Sequence, residues 1–137
     1  MILSKKWICF CVAVMMATFL AGCNFRRLPS PHPSEQANTT WSTEDGSICF
    51  TVEGTYDPAY GYINLPEGRV EIAISMSPTN AMMAVSYAED VRDYVADAPI
   101  QPFALWSCTD YSEEYIVVTV KQTKYLEEGQ TLTFYRK

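Results

Sequence analysis

Val70-Glu71-Ile72-Ala73-Ile74-Ser75-Met76 is the stretch on which the fold is read. Val70, Ile72, Ile74 and Met76 alternate with Glu71, Ala73 and Ser75, which is the period of a strand with one face in a core. Turns bound it on both sides: Pro66-Glu67-Gly68 before it and Pro78-Thr79-Asn80 after it. The same period recurs upstream, in Ile48, Phe50 and Val52, and again where Tyr60 and Tyr62 alternate with Gly61 and Ile63. Downstream it returns in Met83, Val85 and Tyr87, and in Phe103 and Leu105 with Trp106 and Cys108 on the opposite face. It returns once more in Ile116, Val118 and Val120, and finally in Leu132 and Phe134. With a strand at Trp41 the count is about eight short strands. The spacing therefore predicts an all-β domain. Sequence neighbours pair most simply as an antiparallel up-and-down meander. Such a meander closes into a small barrel without exposed edges, and a two-sheet β-sandwich is the alternative. One interval breaks the pattern. Val91, Tyr94, Val95 and Ala98 have helical spacing, so Glu89 to Ala98 reads as a short helix or irregular loop stopped by Pro99.

The 137 residues hold one such domain and no more. An apolar share of 48% is too high for a disordered chain. All 16 acidic residues lie after residue 34, whereas the 10 basic ones are spread along the chain. The six basic residues beyond Arg27 face all 16 acids, so the domain carries a net charge of −10. That balance argues against a nucleic-acid partner, whose phosphates require Lys and Arg. It also keeps the domain body off anionic lipid.

The N-terminus carries a different signal. Lys5 and Lys6 precede an apolar run from Ile8 to Leu20, and small residues follow it. This is the layout of an export signal with its own helix, too short to span a bilayer. Leu20-Ala21-Gly22-Cys23 resembles the bacterial lipobox. The resemblance implies cleavage of residues 1–22 by a peptidase that reads Leu20, Ala21 and Gly22, with a diacylglycerol on the Cys23 sulfur. A second acyl chain on the new amine would complete a stable anchor. Localisation is then the cell membrane, with the domain facing outward. In a two-membrane envelope Asn24 would permit sorting to the outer membrane. Residues 23–38, with Pro29, Pro31 and Pro33, read as a polyproline-like tether between lipid and domain. The sole histidine, His32, falls in that tether, where a solvated role is expected.

Residues 39–137 resemble lipocalin-like lipoproteins of gut Firmicutes. The elements that carry the resemblance are Trp41-Ser42-Thr43-Glu44-Asp45, Ile48-Cys49-Phe50-Thr51-Val52, Tyr115 to Val120, and Thr133-Phe134-Tyr135-Arg136. Most such lipoproteins have no assigned function, so the resemblance implies a barrel rather than an activity. It also implies that Arg136 packs over Trp41. Thr39 stands where lipocalins carry a Gly.

Cys49 and Cys108 are the remaining cysteines beyond the lipobox, and export makes a disulfide between them permissible. Two separately buried thiols are the alternative. Asp90, Asp93 and Asp97 would share a helix face, but no calcium-loop glycine surrounds them, so a solvated acidic face is expected and no metal site. Glu113-Glu114 and Glu127-Glu128 fall in turns, and no cofactor motif is present. With no histidine expected in the folded part, the reading is a non-catalytic monomer. Its partners would be the membrane, through Cys23, and a small apolar or carbohydrate ligand in or on the barrel, to which the tyrosines and tryptophans could contribute a platform. A structural envelope protein, or an inhibitor of exported enzymes with no ligand pocket, is the alternative.

Overall fold

The computed structural model describes residues 28, 29, 31–95 and 99–137. The signal segment, Cys23 with its lipobox, and Asp97 lie outside the described residues. Eight strands form one closed antiparallel barrel in sequence order: β1 (Thr39–Thr43), β2 (Ile48–Val52), β3 (Ala59–Leu65), β4 (Gly68–Ser77), β5 (Asn80–Tyr87), β6 (Ala104–Tyr111), β7 (Tyr115–Gln122) and β8 (Thr131–Arg136). The barrel, not the sandwich, is the architecture. Closure comes from β1 pairing with β8 through Trp41↔Arg136, Ser42↔Tyr135 and Thr43↔Phe134.

The alternating residues fill the barrel. Ile48, Phe50, Ile72, Ile74, Val85, Ile116, Val118 and Phe134 all belong to one core with Trp41 and Trp106. Phe134 contacts Phe50 edge-on at 5.1 Å and stacks on Trp106 at 5.6 Å. Eight strands give an interior just wide enough for side chains to occupy. The two indoles are held differently. Trp41 donates from Nε1 to Thr39 Oγ1 at 2.8 Å, so the threonine caps the indole. The buried Nε1 of Trp106 has no hydrogen-bond partner among the described residues.

Two ends follow from the topology. The β2–β3, β4–β5 and β6–β7 connections share one end with the start of β1, here the strap end. The other four connections make the opposite end, here the helix end. The expected helix is shorter than Glu89–Ala98: α1 spans Ala88–Arg92, and Asp93 closes it by donating its N–H to the Glu89 carbonyl at 2.9 Å. Only Ala88 of the helix is buried, so packing supports barely one turn.

The Pro-rich segment does not stand free. Leu28 N–H donates to the Pro78 carbonyl at 2.6 Å, and the Tyr111 hydroxyl donates to the Pro29 carbonyl. Pro33–Glu35 forms a 3-10 turn, Tyr56 N–H donates to the Ser34 carbonyl at 3.0 Å, and Asn38 N–H donates to Val52 at 2.7 Å. His32, Pro33 and Ser34 are buried. Residues 28, 29 and 31–38 are thus a strap across the strap end, held by three of its loops and strand ends. Their prolines do not continue as an extended spacer there, because burying this turn satisfies its backbone against the barrel rim.

At Gly61 the backbone of β2 comes close enough to exclude a side chain. Gly61 is paired with Phe50 and Ile72, and a Cβ there would overlap the Cys49 carbonyl oxygen and lie 2.6 Å from Phe50 Cα. Both obstacles are backbone and cannot rotate away. Gly61→Ala is therefore expected to lower unfolding stability by about 2–3 kcal/mol, the scale of core overpacking, in urea denaturation; an unchanged midpoint would refute the close approach.

Candidate functional site

The residues singled out from sequence fall in three places. Cys49 and Cys108 are both free. The disulfide is corrected by the topology: β2 and β6 are diametrically opposed in the eight-strand order. Cys108 belongs to the core, whereas Cys49 lies between the core residues Ile48 and Phe50 and so points to the outer wall, beside Tyr62. A bridge needs Cα atoms within about 7 Å, which opposite walls do not offer. Burial pushes the Cys108 thiol up to about 11, so it is protonated and unreactive at neutral pH.

His32 is not solvated. It is 1% exposed, and its ring lies edge-on to Tyr111 at 5.1 Å. Nδ1 accepts from Ser34 N–H at 3.2 Å and lies 2.7 Å from Ser34 Oγ. Those atoms are the pair used in nucleophilic catalysis, but Ser34 is fully buried and the bond caps the 3-10 turn. Their role is to hold the strap. Desolvation keeps the His32 pKa below its usual value, with Glu35 opposing the shift.

Arg136 does not cover Trp41. The register sets the two residues opposite each other, but the guanidinium is exposed and donates to the Glu113 carbonyl at 3.4 Å. Trp41 is enclosed by its neighbours without it, and is 0% exposed. Asp90 lies in the middle of the single-turn helix and Asp93 caps its C-terminal end, and the helix is too short to present a carboxylate face. Among the described residues no group of three or more metal-ligating side chains gathers.

The barrel lumen is occupied by side chains, so the candidate site lies on the outer surface at the helix end. Several clefts open there among the described residues. One is lined by Glu89, Asp90, Asp93 and the Tyr94–Val95 step, and a second by Glu44, Asp45 and the facing part of β8. The Asp45 carboxylate in the second is a turn-forming group. It accepts from Ser47 N–H, Ser47 Oγ and Thr43 Oγ1, which holds its pKa down at about 2. The third cleft, about 470 Å³, is lined by Arg69, Val70, Glu71, Tyr87, Ala88, Glu89 and Arg92, and differs from the others in its cations.

Around that cleft the cations rest on tyrosines. The Arg69 guanidinium lies 3.8 Å from the Tyr62 ring centre, and that of Arg92 lies 4.7 Å from Tyr60. Lys124 donates to Tyr87 Oη at 3.3 Å. Tyr87 and Tyr125 share a hydroxyl hydrogen bond of 2.5 Å, and both rings pack on Phe103. The Tyr125 hydrogen bond and, after it, Lys124 hold the Tyr87 phenol below its usual pKa. Sequence reading noted Tyr60, Tyr62 and Tyr87 as aromatics but missed Arg69, Arg92, Lys124 and Tyr125. The missed signal was local: Arg69 diagonal to Tyr62 across a hairpin whose turn is Pro66-Glu67.

No family model, no curated protein and no solved structure matches the chain. What the described residues define is an eight-stranded antiparallel barrel with a filled core, a strapped end and a cation-bearing end.

Two outcomes follow from the buried groups. Because the folded-state pKa of His32 lies below the unfolded value, the unfolded chain binds the extra proton as pH falls. Stability is full above about pH 6.5 and declines below it until the folded-state pKa is reached. Melting temperature should fall from about pH 7 to about pH 5, and His32→Asn, whose amide oxygen can still accept from Ser34 N–H, should flatten part of that slope. Parallel slopes would exclude His32 as the source. For the cysteines, thiol titration without reductant should find Cys49 and Cys108 slow to react in the native state and fully reactive on unfolding. A thiol deficit that reductant restores would establish a disulfide instead.

Proposed function

We propose that the chain is a lipid-anchored lipoprotein of the cell surface whose barrel is a non-catalytic interaction module, working through its outer surface at the helix end. The observation that carries this reading is the helix-end cleft whose arginines rest on tyrosine rings, and the filled lumen moves recognition to the outside. Trp41, Trp106, Phe50 and Phe134 are at most 1% exposed, and Phe134 packs on both Phe50 and Trp106 inside the barrel, which leaves a small apolar ligand no chamber among the described residues. The clefts of the helix end are concave features that a partner can enter.

The strap supports the direction in which this surface faces. If lipid is attached at Cys23, five residue steps separate it from Leu28, which is docked on the strap end. Five steps span at most about 18 Å. The strap end is then held close to the bilayer and the helix end is turned away from it. The Pro-rich segment sets orientation rather than reach. The filled lumen equally favours a pocketless envelope protein or enzyme inhibitor; the clefts and their parked cations favour recognition of a ligand.

Two measurements test the reading. Labelled palmitate should enter the native chain and not Cys23→Ala, which should leave the membrane fraction. A fluorophore placed through Tyr56→Cys at the strap end should be quenched by headgroup-quencher lipid more strongly than one placed through Tyr94→Cys at the helix end. Equal quenching would overturn the orientation, and a stoichiometric apolar ligand in native mass spectrometry would overturn the closed lumen.

A further inference from the structure

We infer that the cleft between Arg69 and Arg92 is a binding site for an acidic sugar, one carrying a single carboxylate among hydroxyl groups. The inference rests on the proposed surface role of the helix end and gives it a ligand chemistry.

The argument starts from charge. The domain holds far more carboxylates than cations, yet neither Arg69 nor Arg92 forms an ion pair among the described residues. Each guanidinium lies over a tyrosine ring instead. Stacking fixes the plane of a guanidinium while leaving its in-plane N–H groups pointing outward at the edges. Arg69 uses Nε on Asn64 Oδ1 at 3.0 Å, which fixes it further and leaves its terminal amino groups. Two pre-oriented forks therefore line one cleft. A carboxylate is the group whose two oxygens match such a fork.

The other lining residues narrow the ligand. Glu71 and Glu89 line the same cleft, so its formal charge is zero. A phosphate-rich or polyanionic ligand meets two carboxylates there and is repelled. A ligand with one acid group and several hydroxyl donors satisfies both sets: its carboxylate meets the arginines and its hydroxyls donate to the glutamates. Tyr87, Val70 and Ala88 supply an apolar patch for the C–H face of a ring. The cleft volume of about 470 Å³ falls within the roughly 300–1,000 Å³ typical of small-molecule sites. Tyr87 is braced from behind by Phe103 and Tyr125, whose ring centres lie 4.7 Å and 6.3 Å from its own, so the wall is rigid before any ligand arrives.

The test is a titration of the isotopically labelled full chain, read at the arginine Nε–H resonances. D-glucuronate is the probe, D-glucose its neutral counterpart and L-glutamate a carboxylate without the sugar ring. Glucuronate should shift Arg69 and Arg92 saturably, with glucose and glutamate each weaker by about tenfold or more. Arg92→Gln should weaken glucuronate by a similar factor. Arg92→Lys, which keeps the charge and loses the fork, should also weaken it, while Arg136→Gln at the strap end should not. Glucose binding as well as glucuronate, glutamate binding as well as glucuronate, or Arg92→Gln binding unchanged would each overturn the inference. So would an absence of shifts up to roughly 50 mM, well above a millimolar dissociation constant. These readouts lie in the cleft, whereas palmitate labelling and lipid quenching read the anchor and orientation, so either reading can fail without the other.

Discussion

The short seam between β1 and β8 is the constraint on which the rest of the structure depends. Three Cα pairs close the sheet on itself, and with that closure every strand loses its free edge. Closure at eight strands also fixes the diameter, and the diameter decides what the lumen can hold. Trp41 and Phe134 stand on the two strands of the seam and both are 0% exposed. Phe134 then reaches Phe50 and Trp106, so the residues that seal the barrel also fill it. A protein built this way has spent its interior on stability, and recognition is displaced to its ends and outer wall.

The strap end shows how completely one of those ends has been withdrawn from use. Its loops are joined to the strap by backbone hydrogen bonds, and the side chains of His32 and Tyr111 add to the closure. His32 makes the 3-10 turn possible by accepting the Ser34 N–H, a donor that burial would otherwise leave unpaired. The burial that makes the acceptor necessary is also why the imidazole resists protonation, since desolvation disfavours its charged form. Tyr56 sits beside this contact with φ of 65°, an unusual conformation for a bulky residue, and its N–H is the donor to Ser34. The bend at Tyr56 is the local cost of aiming that N–H at the strap.

Strand periodicity was the part of this architecture legible from sequence, because period two survives wherever one face is buried: Val70 to Met76 and Ile116 to Val120 are read correctly from alternation alone. The barrel followed from strand count and short connections. Three things were not legible. Cys108 looks like a mixed-face residue until the β6–β7 pairing turns it inward, since Leu105, Trp106 and Ser107 give no clean alternation. The strap looks like a linker because its prolines and serines are polar, and only the shape of the barrel rim makes their burial worthwhile. The cation-bearing cleft joins Arg69 at the start of β4 to Arg92 in α1, and no short sequence window contains the two together.

The placement of those cations follows from sheet geometry. On the outer face of the β3–β4 hairpin, Tyr62 stands opposite Glu71 and Asn64 stands opposite Arg69. Arg69 thus meets an amide directly across the ladder and an aromatic ring on the diagonal, which long side chains reach. A guanidinium on a ring face keeps much of its hydration and its charge uncancelled, whereas an exposed ion pair would gain little and neutralise it. Arg92 on Tyr60 repeats the arrangement one ladder step further along β3, on the same face. The alternation of β3 that directs Gly61 and Ile63 inward is therefore what sends Tyr60 and Tyr62 outward as seats for two arginines. The pattern that closes the barrel against a ligand inside is the same one that holds two guanidinium groups, each seated on a ring rather than in an ion pair, on its outer wall.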